Sequence, residues 1–401
     1  MKELKHLIFF ESLLEDTNNE LVRKAESEGD LAFGYTCFHA PEVLLNLGNC
    51  FSVRLRAPHT NSMELATYYM ANNSCEFSRA LLERALEGNY SFLHAMIGVD
   101  VCEANNRAIE NMEILHTQGE DKDKFFYCNL DIPYSDDEDC VEHIREQVSR
   151  KILKPMMENY GVDTSDTAIR ESVREHNEVC RIMTEINAMR EAENPVITGY
   201  EFHVINLVSQ VCPHYLIKPY LEETLEELKT REPEEKFPFR ARVVLVGSEV
   251  DDPEFTKLIE TCGAMVVADR YCFGSIPGRE EIIVKPDEDI LQAIADHYIQ
   301  TNQCPRSMGP ENVVARKQFL YKIAQEYGAE GVIVENMKFC EYWGYERAQD
   351  GMWFYEGYEL PRSIPVCQIE KDYTSAASGQ LRTRFQAFVE SIEIKKIQEG
   401  K

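Results

Sequence analysis

The sequence predicts an α/β protein built from two similar, doubly wound lobes with a helical region between them. Three observations predict it. Arg242–Gly247, Asp251–Cys262 and Met265–Asp269 read as strand, helix and strand, the βαβ unit of a parallel sheet. The first third repeats that grammar. In both places a Cys-Glu pair, Cys102-Glu103 and Cys340-Glu341, sits where a strand hands over to a helix. Between the two lies a polar, amphipathic stretch with helical periodicity. The expected domains are residues 1–135, 136–238 and 239–401.

In the first lobe Leu31–Tyr35 is a strand, Pro41-Glu42 opens a helix that stops at Gly48, and Phe51–Leu55 is the next strand. Leu93–Val99 is a buried strand, Glu103–Leu115 a helix and Phe125–Leu130 a strand. Val141–Tyr160, Thr164–Glu193 and Gly199–Arg231 are expected helices, packed on the first lobe. The charged, proline-bearing Arg231–Pro238 is the linker. In the second lobe Asp251-Asp252-Pro253-Glu254 starts a helix. An Asp cap, a Pro in the first turn and acids at the positive dipole end all favour it. Helices follow at Glu288–Gln300 and Glu311–Tyr327, then a buried strand at Gly331–Glu335. A helix near Tyr345–Phe354, a strand at Ile364–Glu370 and a last helix at Ser378–Lys396 complete the lobe.

The 401 residues are 44% hydrophobic and 28% charged, the composition of a soluble globular chain. No run of 18 apolar residues is present, so no membrane span is expected. The apolar patch before Phe10 runs into Glu11, Glu15 and Asp16 with no small-residue cleavage site, so no signal peptide is expected. Lys+Arg 42 against Asp+Glu 70 gives a net charge of −28, which repels phosphate backbones and argues against nucleic acid as a partner. Thirteen cysteines, an odd number, point to a reducing cytoplasm and not to a disulfide framework. There is no C-x-x-C, G-x-G-x-x-G, P-loop, H-E-x-x-H or G-x-S-x-G, so no nucleotide site is expected in this chain.

Ligands of open α/β sheets gather at the carboxyl ends of the strands. Cys102 and Cys340 are both expected there. Each precedes a helix, whose dipole and free N–H groups favour thiolate over thiol. Two such thiolates facing each other across a cleft suit a soft metal centre. Cys75, in the helix-opening loop Asn72–Phe77, is a third candidate, and Cys37, after the first strand, a weaker fourth. Packing is the commonest role of a buried cysteine, and spacing alone leaves both roles open.

Met337-Lys-Phe-Cys-Glu-Tyr-Trp-Gly-Tyr-Glu346, Val246–Pro253, Val266–Asp269 and Asp372–Arg384 together resemble motifs of the 2-hydroxyacyl-CoA dehydratase and benzoyl-CoA reductase family. The resemblance runs from Gly34 to Ile392. It implies two Rossmann-like, parallel-sheet lobes and an oxygen-sensitive subunit. It also implies one [4Fe–4S] cluster on three cysteines between the lobes, carried over by motif to Cys75, Cys102 and Cys340. Three thiolates leave one iron an open position, where it acts as Lewis acid and electron donor. One electron added to the thioester carbonyl of a 2-hydroxyacyl-CoA gives a ketyl radical anion, which expels the neighbouring hydroxyl. The β-proton then becomes removable and the electron is returned. The electron is implied to come from a separate ATP-hydrolysing iron–sulfur activator, and the enzyme is implied to include a paralogous second subunit. The Glu-Tyr-Trp-Gly-Tyr run after Cys340 departs from the Asp-Pro-Glu-Glu-like run of many dehydratase subunits. A benzoyl-CoA reductase-type subunit, a homodimeric double-cubane reductase and an electron-storing partner therefore stay open.

Other residues carry secondary expectations. Arg382 and Arg384 suit CoA phosphates or a partner surface. Ser378, Gly379 and Gln380 open the final helix and offer N–H groups to an anion. Glu103, Glu341 and His39 are candidate bases, and Trp343 and Tyr345 candidate pocket walls. Solvated helix charges, plain caps, first-turn acids and core packing are the ordinary roles of these same residues. The acidic run Asp136–Asp139 is expected to be a solvated face.

Overall fold

Runs rich in β-branched and small residues, apolar on both faces, suit parallel strands covered on both sides. Leu31–Tyr35, Ala95–Asp100, Ala241–Gly247, Ala264–Tyr271 and Gly331–Met337 are of that kind, while the edge strands Phe126–Asp131 and Val366–Lys371 are more polar. The computed structural model describes residues 2–118, 124–275, 280–300, 303–355, 364–374 and 378–398. The first sheet holds β1 (Leu31–Tyr35), β2 (Cys50–Arg54), β3 (Ala95–Asp100) and β4 (Phe126–Asp131), in the order β2-β1-β3-β4. The second holds β5 (Ala241–Gly247), β6 (Ala264–Tyr271), β7 (Gly331–Met337) and β8 (Val366–Lys371), in the order β6-β5-β7-β8. All pairings are parallel, and the two orders are the same. All eight predicted strands are present, each within two residues of its expected ends.

Among the described residues the α-helices before β5 are α1 (Leu7–Leu14), α2 (Glu20–Glu28), α3 (Glu76–Leu86), α4 (Glu103–Thr117), α5 (Glu138–Val148), α6 (Lys154–Tyr160), α7 (Asp166–Ala188), α8 (Gly199–Val211) and α9 (His214–Thr230). After β5 come α10 (Pro253–Thr261), α11 (Ile290–Gln300), α12 (Pro310–Glu326), α13 (Glu341–Tyr355) and α14 (Ser378–Gln398). None is long and apolar enough to cross a membrane.

Three expectations need correction. The helix expected from Pro41 to Gly48 is a single 3₁₀ turn, Glu42–Leu45. Asn46 ends it by folding back, its Nδ2 donating to Glu42 O at 2.8 Å while its Oδ1 accepts from Ser52 N at 2.9 Å. The helix expected near Tyr345 begins at Glu341, because the Cys340 carbonyl already accepts from Gly344 N at 3.0 Å. The helical region packs on both sheets and not on the first alone. Its helix α8 is buried almost all round, against α1, α10, β2 and β6. Gly199 opens α8 so close to β6 that a Cβ would stand 2.4 Å from Val266 O, which explains the glycine.

The halves also interlock through the later chain. Ile282, Ile290, Ile294 and Tyr298 belong to the core that contains Phe33 and Ile97 of the first sheet. Arg56, two residues past β2, donates to Asp251 O from Nε at 3.0 Å and from Nη2 at 2.6 Å. Arg306 Nη1 donates to Pro133 O at 3.1 Å. Arg56, Asp251 and Pro133 lie just past β2, β5 and β4, so these contacts join the halves beside strand ends.

Candidate functional site

Three cysteines open three helices, Cys102 and Cys340 directly after strands and Cys75 after a long loop. Cys102 follows β3 in extended geometry, and its carbonyl accepts from Asn106 N at 2.9 Å. Cys75 does the same for α3, accepting from Arg79 N at 3.1 Å. Cys340 follows β7 and starts α13. Each thiol thus lies among the free N–H groups of a first helical turn. The backbone N–H groups of Phe77 and Ser78 favour charge on Cys75, those of Ala104 and Asn105 favour charge on Cys102, and that of Trp343 favours charge on Cys340. Phe339, just before Cys340, takes φ +64°. A bulky residue enters that left-handed region at a cost of about 1–3 kcal/mol, and such strain collects at functional turns.

The three thiols feel one another. Burial, with a charge on Cys102 adding to it, pushes Cys75 up to about 12. Burial likewise raises Cys102, and it raises Cys340 well above the ordinary thiol value, with Cys75 and Cys102 adding to the rise. All three are neutral thiols at pH 7. Buried thiolates that repel one another are stabilised by positive charge in their midst, and a metal deprotonates a coordinating thiol outright. This donor set fits a soft, cationic iron centre. Among the described residues no group of three or more His, Cys, Asp or Glu side chains is spaced to hold a metal ion.

Glu249 is the residue that sequence reasoning missed. It lies two residues past β5, and its charge is felt by Cys75, Cys102 and Cys340 and also by Cys37 and Cys272. Burial pushes its carboxyl up to about 7, against the pull of Arg54 and with the push of Asp251 and Glu335. In the sequence it stands inside the Val246–Pro253 stretch, after Gly247-Ser248 at a strand end, with nothing that marks it out as a site residue.

A second group of thiols lies beside the first. Buried Cys272 and the half-buried Cys37 and Cys304 are neighbours, and Cys304 also feels Cys102. Cys37 therefore keeps company with Cys304 and Cys272, while Cys75, Cys102 and Cys340 form their own set. Trp343 Nε1 donates to Cys272 Sγ at 3.3 Å, so Trp343 is a core residue here. Tyr345 is exposed.

His39 is buried beside Cys37. Burial and the Arg306 charge hold its pKa down to about 4, so it is neutral. Glu103 and Glu341 are exposed first-turn acids of α4 and α13, and the charge of Glu341 reaches Cys102. Asp136–Asp139 is exposed, with Asp137 capping α5. Ser378 and Gly379 form the first turn of α14, and the Ser378 side chain lies outside the described residues. The two arginines part company. Arg384 Nη2 donates to Gln368 O of β8 at 2.5 Å, while Arg382 lines a cavity between β8, α10 and α14.

The sequence profile of a family described as 2-hydroxyglutaryl-CoA dehydratase, D-component, matches residues 37–392. The chain is similar to the (R)-phenyllactyl-CoA dehydratase beta subunit of Clostridium sporogenes, 21% identical over 385 residues, 96% of this chain and 97% of that one. It is similar to the beta subunit of (R)-2-hydroxyglutaryl-CoA dehydratase of Acidaminococcus fermentans, 22% identical over 384 residues, 93% of this chain and 95% of that one. A benzoyl-CoA reductase subunit of Thauera aromatica is 20% identical over 274 residues, 67% of each chain.

Proposed function

The chain belongs to the 2-hydroxyglutaryl-CoA dehydratase D-component family, and on that premise we propose that Cys75, Cys102 and Cys340 hold the [4Fe–4S] cluster of a radical 2-hydroxyacyl-CoA dehydratase. It is a 2-hydroxyacyl-CoA dehydratase-type enzyme subunit. The observation that carries the cluster reading is the convergence of three helix-opening thiols, two from the first half and one from the second. Each sheet with its helices is read as a Rossmann-like lobe, and the cluster lies between them.

When bound, the cluster supplies a low-potential electron and an iron with an open position. The chain's own residues do the rest. The thiols of Cys75, Cys102 and Cys340 give up their protons on loading. The N–H groups of Phe77, Ser78, Ala104, Asn105 and Trp343 then stabilise charge on the sulfurs. Phe77, Phe273 and Met337 share one apolar cluster with Cys75 and keep water away from it. The acyl-CoA substrate, a paralogous second subunit and an ATP-hydrolysing iron–sulfur activator are the partners of this reading. Its support is that the relatives are themselves named as subunits of acyl-CoA enzymes.

The similarity to the benzoyl-CoA reductase of Thauera aromatica and the Glu-Tyr-Trp-Gly-Tyr run after Cys340 favour a second reading, ring reduction. One assay separates them. The chain is co-purified with its paralogous subunit, then supplied with activator, ATP, a strong reductant and either 2-hydroxyacyl-CoA or benzoyl-CoA. Loss of water from the 2-hydroxyacyl-CoA only when activator and reductant are both present is the expected result. Reduction of benzoyl-CoA alone would select the second reading. Sustained dehydration with neither activator nor reductant would remove the radical mechanism.

A further inference from the structure

Lys371 ends β8 with 8% of its surface exposed, and it forms no hydrogen bond or ion pair through its ammonium group among the described residues. Its Nζ stands 5.0 Å over the Phe255 ring. Its charge is the leading cation acting on the buried Glu335 carboxyl and also acts on Asp251. A buried ammonium without a close partner carries a large desolvation cost, which an incoming anion relieves.

That ammonium lies on a cavity of about 320 Å³ between β8, α10 and α14. Phe255, Leu258 and Leu381 give the cavity an apolar floor. Arg382 is its second cation without a described ion pair, exposed on the first turns of α14. The other charged groups on the rim are Asp252, Glu254, Lys257 and Asp372. Asp252 Oδ1 accepts from Glu254 N at 3.0 Å, Glu254 pairs with Lys257 at 2.7 Å, and Asp372 pairs with Lys338 at 3.0 Å. Two cations beside an apolar floor match a doubly charged phosphoryl group on an apolar organic body better than a single carboxylate. On a chain of net charge −28, such an anion is held by local donors and not by the overall field.

We propose that this cavity is a binding site for an organic phosphate, gripped by Lys371 and Arg382 and seated on Phe255, Leu258 and Leu381. Where the occupant is coenzyme A, the site is the substrate handle of the dehydratase and rests on that reading. Where it is a free nucleotide, it does not.

The test is calorimetric titration of the purified full chain with coenzyme A, with ADP and with inorganic phosphate. Coenzyme A or ADP is expected to bind at one site, and Lys371→Met and Arg382→Gln are each expected to weaken it roughly tenfold or more. Arg382 is exposed, so Arg382→Gln reads the site even if Lys371→Met fails to fold, which a thermal melt checks. Tighter binding of coenzyme A than of ADP identifies the substrate as the source, and tighter binding of ADP than of coenzyme A identifies a free nucleotide. Absence of binding by all three probes at millimolar concentration overturns the proposal, as does unchanged affinity in both variants. Inorganic phosphate binding as tightly as ADP overturns the apolar part of the site. The titration needs no iron, partner subunit or activator, so its failure and that of the dehydratase reading are separate results.

Discussion

The two sheets share one strand order but fix their cysteines by different means. In the first half, Cys75 and Cys102 open α3 and α4, which pack against each other over an apolar core of Leu81, Leu82, Ala108 and Ile109. In the second half, Cys340 opens α13, and α13 is held by buried charge. Glu346 on that helix meets Arg270 at 3.1 Å, Arg316 at 3.2 Å and Lys317 at 2.9 Å, and Lys317 also pairs with Asp350. Every one of these side chains is at most 1% exposed. Burial pushes the Glu346 carboxyl up, but the three cations win and hold it well below the usual carboxylate range. One topology can thus aim a thiol by apolar packing or by an ion network. The first tolerates small changes; the second does not, because removing one partner strands the others in a dry interior.

The largest expected effect breaks the ion network. Glu346→Gln should cost about 3–5 kcal/mol of stability in chemical denaturation, the range for stripping a partner from a buried charge. Ile109→Val on α4 should cost only about 0.5–1.5 kcal/mol. Equal costs for the two would erase the distinction between the halves.

The second effect sharpens what the shared helix α8 contributes. His203 on α8 meets Thr256 Oγ1 of α10 at 2.8 Å and Val250 O at 3.2 Å. Burial holds its pKa down to about 4. Below about pH 6.5 the unfolded chain takes up a proton that the folded chain refuses, so this contribution is full above pH 6.5 and is lost as pH falls toward 4. At ~1.4 kcal/mol per pH unit, the loss is about 3 kcal/mol. Urea titrations at pH 7 and pH 4.5 should show it, and His203→Gln should flatten the dependence by a similar amount. An unchanged slope in that variant would take His203 out of the account.

A smaller effect concerns the tie between the halves. Tyr373 Oη donates to Asp251 Oδ2 at 2.7 Å and accepts from Ala57 N at 3.2 Å. Its backbone N–H donates to Glu76 Oε2 at 2.8 Å, one residue from Cys75. Tyr373→Phe should cost about 1.5–3 kcal/mol. Alkylation of Cys75 should speed up while that of Cys340 does not. Equal acceleration at both would mean general loosening and not a tie specific to Cys75.

The strands were legible because parallel strands covered on both faces read as continuous apolar runs. Cys102 and Cys340 were legible because the same Cys-Glu handover occurs twice. Glu249 was not, since one loop Glu carries no pattern and its burial depends on strand ends distant in sequence. Arg270 on β6 and Arg316, Lys317 and Glu346 on helices were hidden for the same reason: charged side chains normally face water, and only the packing of α12, α13 and β6 turns these inward. Arg382 and Arg384 look alike in sequence, yet only the fold sends one to the cavity and the other to the Gln368 carbonyl.

The central claim is that thiols fixed by these two different means meet at one iron–sulfur cluster. Iron and acid-labile sulfide counted in anaerobically purified chain test it most directly. The wild-type chain should carry about four irons. Cys75→Ser, Cys102→Ser and Cys340→Ser should each lose most of that iron, while Cys180→Ser, at a buried position of α7, should keep it. Full iron in all three of the first variants would contradict the assignment.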